Sequence, residues 1–197
     1  MTDSGIDRFD FRHIAAWVRP GARVLDLGCG DGKLLSFLQS EKAVHGYGIE
    51  LDPDQLVACI ARGVNVLQFD LEQGLAGVEN DSFDYVIMSL SLQTVRHTEQ
   101  MLREMLRVGH EAVVSFPNFG YRKHRAAIAE GHMPVSRHLP FEWYNSPNLR
   151  FFTLADFEAL CARCGIVLNE RLCFDEGRSV SSDPNLNADM ALYRLGR

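Results

Sequence analysis

The chain has no apolar run approaching the length of a bilayer span, and Met1-Thr2-Asp3-Ser4 lacks the basic and apolar regions of a secretory leader. Its seven histidines show no H-E-x-x-H spacing, and no G-x-S-x-G elbow occurs, which removes the zinc-peptidase and serine-hydrolase patterns. Cys161-Ala-Arg-Cys164 is the lone C-x-x-C pair, and only Cys173 follows it. A closed zinc site takes about four ligands, so these thiols are expected to pack in a core and no metal is expected. Five cysteines, an odd number set mostly within hydrophobic patterns, predict reduced thiols and a cytoplasmic setting rather than a disulfide framework. Basic charge is also short. Lys and Arg number 20 against 26 Asp and Glu, and a net charge of −6 argues against a general nucleic-acid binder. Repeats and low-complexity tracts are absent. What remains is 197 residues, 46% hydrophobic and 23% charged, enough to bury a core without disulfides or metals. One domain spanning 1–197 is expected.

Hydrophobic patterning alternates between periods of two and of 3.6 residues, which predicts an α/β fold with a mostly parallel sheet and helices on both faces. A leading helix is expected over Arg8–Val18. Strands are expected at Ala22–Leu27, Val44–Glu50, Asn65–Asp70, Phe83–Ser89, Glu111–Phe116, Ile166–Phe174 and Asp189–Leu195, seven in all, the last two close enough to pair antiparallel. Helices fit between them, one opened by Pro53 and expected to bury Leu56, Val57 and Ile60, and one ended by Gly165. Two stretches interrupt the alternation. Residues 118–150 form an insertion after the fifth strand, too long for an ordinary connection. Residues 175–188 are polar and read as a flexible hairpin loop.

The most informative stretch is Val24-Leu25-Asp26-Leu27-Gly28-Cys29-Gly30-Asp31-Gly32. A buried strand stops there, and glycines permit the reversal and the close approach of a ligand to bare backbone. Dinucleotide folds use G-x-G-x-x-G to hold a pyrophosphate at a helix N-terminus. Asp26, placed before the first glycine, would repel a phosphate but suits an ammonium. In an open α/β sheet, ligands lie beyond the carboxyl ends of the strands. Glu50 ends the second strand, 24 residues after Asp26, where a carboxylate can accept from both ribose hydroxyls. Asp70 ends the third strand and can accept from an adenine amino group, with Leu51 and Leu71 as apolar walls. Ser89 ends the fourth. Taken alone, Glu50 also reads as a surface acid and Asp70 as a helix cap.

In order and spacing these elements resemble class I S-adenosylmethionine (SAM) methyltransferases. The resemblance implies a Rossmann-like methyltransferase fold that binds SAM or S-adenosylhomocysteine through Asp26, Gly28, Gly30, Glu50, Leu51, Asp70, Leu71 and Ser89. A narrower likeness runs from about Phe9 to Asp175. Val24 to Leu35, Gly46-Tyr47-Gly48-Ile49-Glu50, Cys59 to Val66, Phe83-Asp84-Tyr85-Val86-Ile87, Leu102 to Gly109, Ser115 to Gly120 and Pro140 to Asn148 resemble the methionine-biosynthesis family MetW. That family implies an accessory protein that associates with the homoserine O-acyltransferase MetX and supports it, in a pathway whose downstream product is SAM.

The rival reading is an active small-molecule methyltransferase, which the Ser115-Phe116-Pro117-Asn118-Phe119 segment also resembles. Such an enzyme holds its acceptor in line with the sulfonium methyl and often needs a base. His97, His124, Tyr121 and Glu142 lie in segments able to line that pocket, and nothing in the sequence selects a catalytic residue among them. The insertion carries a basic cluster, Arg122-Lys123-His124-Arg125, which reads as a solvated helix face or as a site for an anionic substrate or an acidic partner. It also carries aromatics between prolines from Leu139 to Asn148. Tyr121, Arg122, Trp143 and Tyr144 are therefore the candidate contacts for a protein partner.

Overall fold

A computed structural model describes residues 9–197. It begins with α1 (Phe9–Trp17), so the expected start of the leading helix at Arg8 lies outside the described residues. There follow β1 (Arg23–Leu27), α2 (Lys33–Lys42), β2 (His45–Glu50), α3 (Pro53–Ala61) and β3 (Asn65–Gln68). Next come β4 (Phe83–Ser89), α4 (Thr98–Val108), β5 (Gly109–Pro117) and α5 (Arg122–Ala129). The chain closes with α6 (Leu154–Cys164), β6 (Val167–Asp175), β7 (Arg178–Ser179), α7 (Pro184–Asn187) and β8 (Met190–Gly196). The sheet order is β3-β2-β1-β4-β5-β8-β6-β7, parallel except where β8 runs antiparallel between β5 and β6 and β7 folds back on β6. Among the described residues there are eight strands, not seven. The added one is the two-residue β7 inside the polar 175–188 stretch, too short to leave a hydrophobic period. That stretch also holds α7, so it is more structured than a plain hairpin loop.

Neighbouring strand residues point to opposite faces. Leu25, Leu27, Val86 and Met88 face α4 and α6, packing with Met101, Leu102, Met105 and Phe157. Val24, Tyr85 and Ile87 face the other way, onto Ile14 of α1 and Leu34, Leu35 and Leu38 of α2. Among the described residues no helix is long and apolar enough to cross a membrane.

The local chemistry of the helix ends sets the strand spacing. Asp52 caps α3, its carboxylate accepting from Asp54 N at 2.8 Å, with Pro53 in the first turn where its missing N–H costs nothing. Thr153 and Asp156 form a capping box on α6, which ends on Gly165 at a φ of 69°. The expected third strand stops two residues early. Asp70 accepts from Glu72 N at 3.0 Å and starts a 3-10 turn over Leu71–Gln73, the only helical turn between β3 and β4.

Candidate functional site

The carboxyl end of β1 runs into the glycine turn, with Gly28, Gly30 and Gly32 all at positive φ. The turn is tied down by its neighbour. Gly28 N and Cys29 N both donate to Ile49 O, at 2.8 and 3.1 Å, and Gly30 N donates to Glu50 Oε2 at 2.8 Å. The other oxygen of Glu50 accepts from Leu51 N at 2.7 Å and Asp52 N at 3.0 Å. The amides that a phosphate cradle would present are thus turned onto β2. The cleft offers carboxylates instead: Asp26, buried in the strand, and Glu50, half-buried at the next strand end.

The enclosed part of the cleft is about 120 Å³, lined by Phe11, Asp26, Gly28, Gly30, Asp31 and Ser89 among others. That is below the usual ~300–1,000 Å³ of a ligand pocket, so it houses only part of a nucleoside-sized molecule. The rest would lie along the open strand ends, where Leu51 is exposed and Leu71 packs partly on the core. Larger hollows of about 370 and 510 Å³ lie over α4 and α6 and share no lining residue with this cleft.

A SAM-like ligand fits these acceptors in part. A carboxylate has about four acceptor sites, and Glu50 has filled three with backbone N–H groups. Ribose must take the remaining lone pair or displace Gly30 N. Gly30 has open space where a side chain would stand, leaving the turn accessible from above. Asp70 is committed to its cap through one oxygen, so the alternative reading of that residue holds and binding would fall to the other. Asp31 is paired with Lys33 and Arg62, each at 3.1 Å. Burial opposes its charge, but bonds to Lys33 and the charge of Arg62 win and hold its pKa below the usual value.

Two further residues reach the cleft from α1. Phe11 lines it, and buried Asp10 accepts from Ser89 Oγ at 3.3 Å. Sequence reasoning missed both because α1 carries no motif; its only signal is apolar spacing, which speaks for a core. Ser91 stands two residues past the end of β4. Its hydroxyl donates to Leu27 O at 2.9 Å and clips the end of β1 to the segment after β4.

Cys29 and Cys59 lie beneath the turn with sulfurs 3.7 Å apart. Burial raises both thiol pKa values, and for Cys29 the neighbouring charge of Asp26 raises it further, so both stay protonated. A Cβ at Gly48 would stand 2.4 Å from Cys29 Sγ. Gly48→Ala is therefore expected to push the turn out of place and destabilise the fold by about 1–3 kcal/mol, read as a lower urea midpoint.

The insertion is anchored rather than loose. Buried Asn118 donates to Asn185 O at 3.0 Å and Ala188 O at 2.8 Å, and accepts from Gly120 N at 2.9 Å. The basic cluster forms α5 and is largely satisfied internally. Arg122 pairs with Asp175 at 2.9 Å and Lys123 with Glu176 at 2.7 Å. His124 is buried, Nδ1 on Asn118 O and Nε2 on Ser136 Oγ, both at 2.9 Å, and burial lowers its pKa. Tyr121 corrects an expectation. It is buried, with its hydroxyl donating to Asp175 Oδ1 at 2.7 Å, so it offers no surface to a partner. Arg122 is exposed but already paired. Trp143 and Tyr144 remain, 74% and 69% exposed and edge-to-face at 5.7 Å. His97 and Glu142 are exposed, and neither lines the Asp26 cleft.

Where the insertion meets β8, burial pushes the Asp189 carboxyl up to about 6, against backbone bonds, the larger from Glu176 N, that lower it. The charges of Asp175 and Glu176 add to the rise, and His138 Nε2 stands 3.8 Å away. A carboxyl raised in the folded state stabilises the fold at low pH, and that contribution is lost as pH climbs from about 4 to about 6. Asp189→Asn is expected to match the parent near pH 4 and to exceed it by up to about 3 kcal/mol above pH 6. Urea titrations across that range check it.

The model of the methionine biosynthesis protein MetW matches residues 8–195. A curated relative, the bifunctional methionine biosynthesis protein MetXA/MetW of Rhodopirellula baltica, is 38% identical over 95% of the chain, and the chain spans 32% of that relative's length. Among solved structures, an S-adenosylmethionine-dependent methyltransferase from Mesorhizobium loti superposes with a TM-score of 0.71 at 21% identity, covering 98% of this chain and 100% of that one. The [4+2]-cyclase SpnF superposes at 0.68 and 16% identity, covering 96% and 81%. Identities this low establish the fold, and the cyclase shows that the fold serves chemistry other than methyl transfer. The chain belongs to the MetW family of methionine-biosynthesis proteins.

Proposed function

We propose that the chain binds SAM or S-adenosylhomocysteine in the acidic cleft and associates with homoserine O-acyltransferase MetX, whose activity it supports. The observation that carries the ligand is the turning of the Gly28, Cys29 and Gly30 amides onto β2, which leaves carboxylates rather than N–H groups to meet it. Asp26 would hold the ammonium, Glu50 the ribose, and Asp70 the adenine amino group between Leu51 and Leu71, with Gly28, Gly30 and Ser89 lining the cleft. The relative that carries MetXA and MetW in one chain supports the partner. An accessory role fits better than methyl transfer because both ring nitrogens of His124 are engaged in holding the insertion, and His97 and Glu142 stand outside the cleft.

If MetX favours one ligand state, ligand occupancy and association are linked, and the linkage is reciprocal. A coupling of about 1–3 kcal/mol would change SAM affinity about 5–150-fold on adding MetX. Calorimetry with and without the partner measures it. Equal affinities in the two titrations would remove the sensing role while leaving the binding site standing.

A further inference from the structure

The two edges of the sheet differ. The β7 edge is two residues long and carries Arg178. The β3 edge, Asn65-Val66-Leu67-Gln68, has no charge, no proline and no bulge, and its outer side pairs with nothing among the described residues. Sheet edges in soluble proteins are ordinarily protected by one of these devices. On both sides of it apolar side chains are also left exposed. The link from β3 to β4 holds one 3-10 turn instead of a crossover helix, so Tyr47 and Leu67 stay 46% and 62% exposed. On the other face α3, against expectation, buries only Cys59 and turns Val57 and Ile60 outward, 66% and 67% exposed.

We propose that this edge is a two-fold interface between copies of the chain. The β3 strands pair antiparallel into one continuous sheet, and α3 packs antiparallel on α3 of the second copy. The charge pattern selects a second copy as the occupant. The strip is uncharged at its centre, while α3 begins with Asp52 and Asp54 and is followed by Arg62. Antiparallel pairing sets that acidic end against Arg62 of the partner subunit, twice, as an isologous contact requires. Arg62 already holds Asp31, yet a guanidinium has five donors. Val57, Ile60 and Leu67 then meet their counterparts and leave water.

Sedimentation velocity on the full chain tests this. The parent is expected to sediment at twice its monomer mass at micromolar concentration. Ile60→Glu on the helix and Leu67→Lys on the strand should each give monomers with unchanged circular dichroism, both sites being exposed in one copy. Trp143→Ala should leave the dimer intact. A parent that stays monomeric up to about 100 μM overturns the proposal. So does a dimer that survives both substitutions, or a monomer that captures MetX through this edge and loses it in Ile60→Glu.

Discussion

Asp26→Asn is expected to weaken SAM binding about 100-fold or more, the loss that follows when one member of a buried, hydrogen-bonded charge pair is removed. The carboxylate is 2% exposed and sits in β1 opposite Gly48 of β2 and Ile87 of β4, so water is a poor substitute for it. The effect should depend on the ligand. S-adenosylhomocysteine, which keeps the ammonium, should lose as much as SAM. Methylthioadenosine, which lacks the amino-acid part, should bind parent and variant within about twofold, because on the proposed site the adenosine end would meet Glu50 and Asp70 instead. A uniform loss for all three ligands would mean that the turn had collapsed rather than that one contact had gone.

The second large effect is expected at the insertion. Trp143 and Tyr144 stack edge to face and expose most of their surface. Exposed aromatics on an anchored segment cost little ordering on association and are frequent interface hot spots. Replacing both with alanine should weaken MetX association by at least about 2 kcal/mol, roughly 30-fold, with SAM affinity unchanged. The separation is credible because neither residue lines the Asp26 cleft. Unaltered affinity for MetX would move the contact elsewhere on the molecule.

Much of the sheet was legible because a buried strand must be apolar and must be stopped by a turn residue. Asp26 to Gly32 and Glu50 declared themselves through chemistry that a packed strand otherwise rejects. The misses share a cause: they depend on tertiary partners that leave no local period. Tyr121 precedes and His124 lies within a basic run that reads as a solvated face or a binding site, yet Asn118, Ser136 and Asp175 draw both inward. Asp70 reads both as a ligand residue and as a cap, and only the backbone, which turns at once after β3, shows that one of its oxygens is spent on the cap. Phe11 lines the cleft and Asp10 reaches Ser89 only through the tertiary packing of α1. The β7 strand and α7 are held by pairing to β6 and by the Asn118 clip, neither visible in so polar a stretch.

Calorimetric titration of the purified chain with SAM reaches the central claim most directly. One binding site per chain, lost on replacing Asp26 and absent for NAD, is the result expected of a cleft that offers carboxylates where a dinucleotide fold offers amides. A flat SAM titration, or tighter binding of NAD than of SAM, would contradict it.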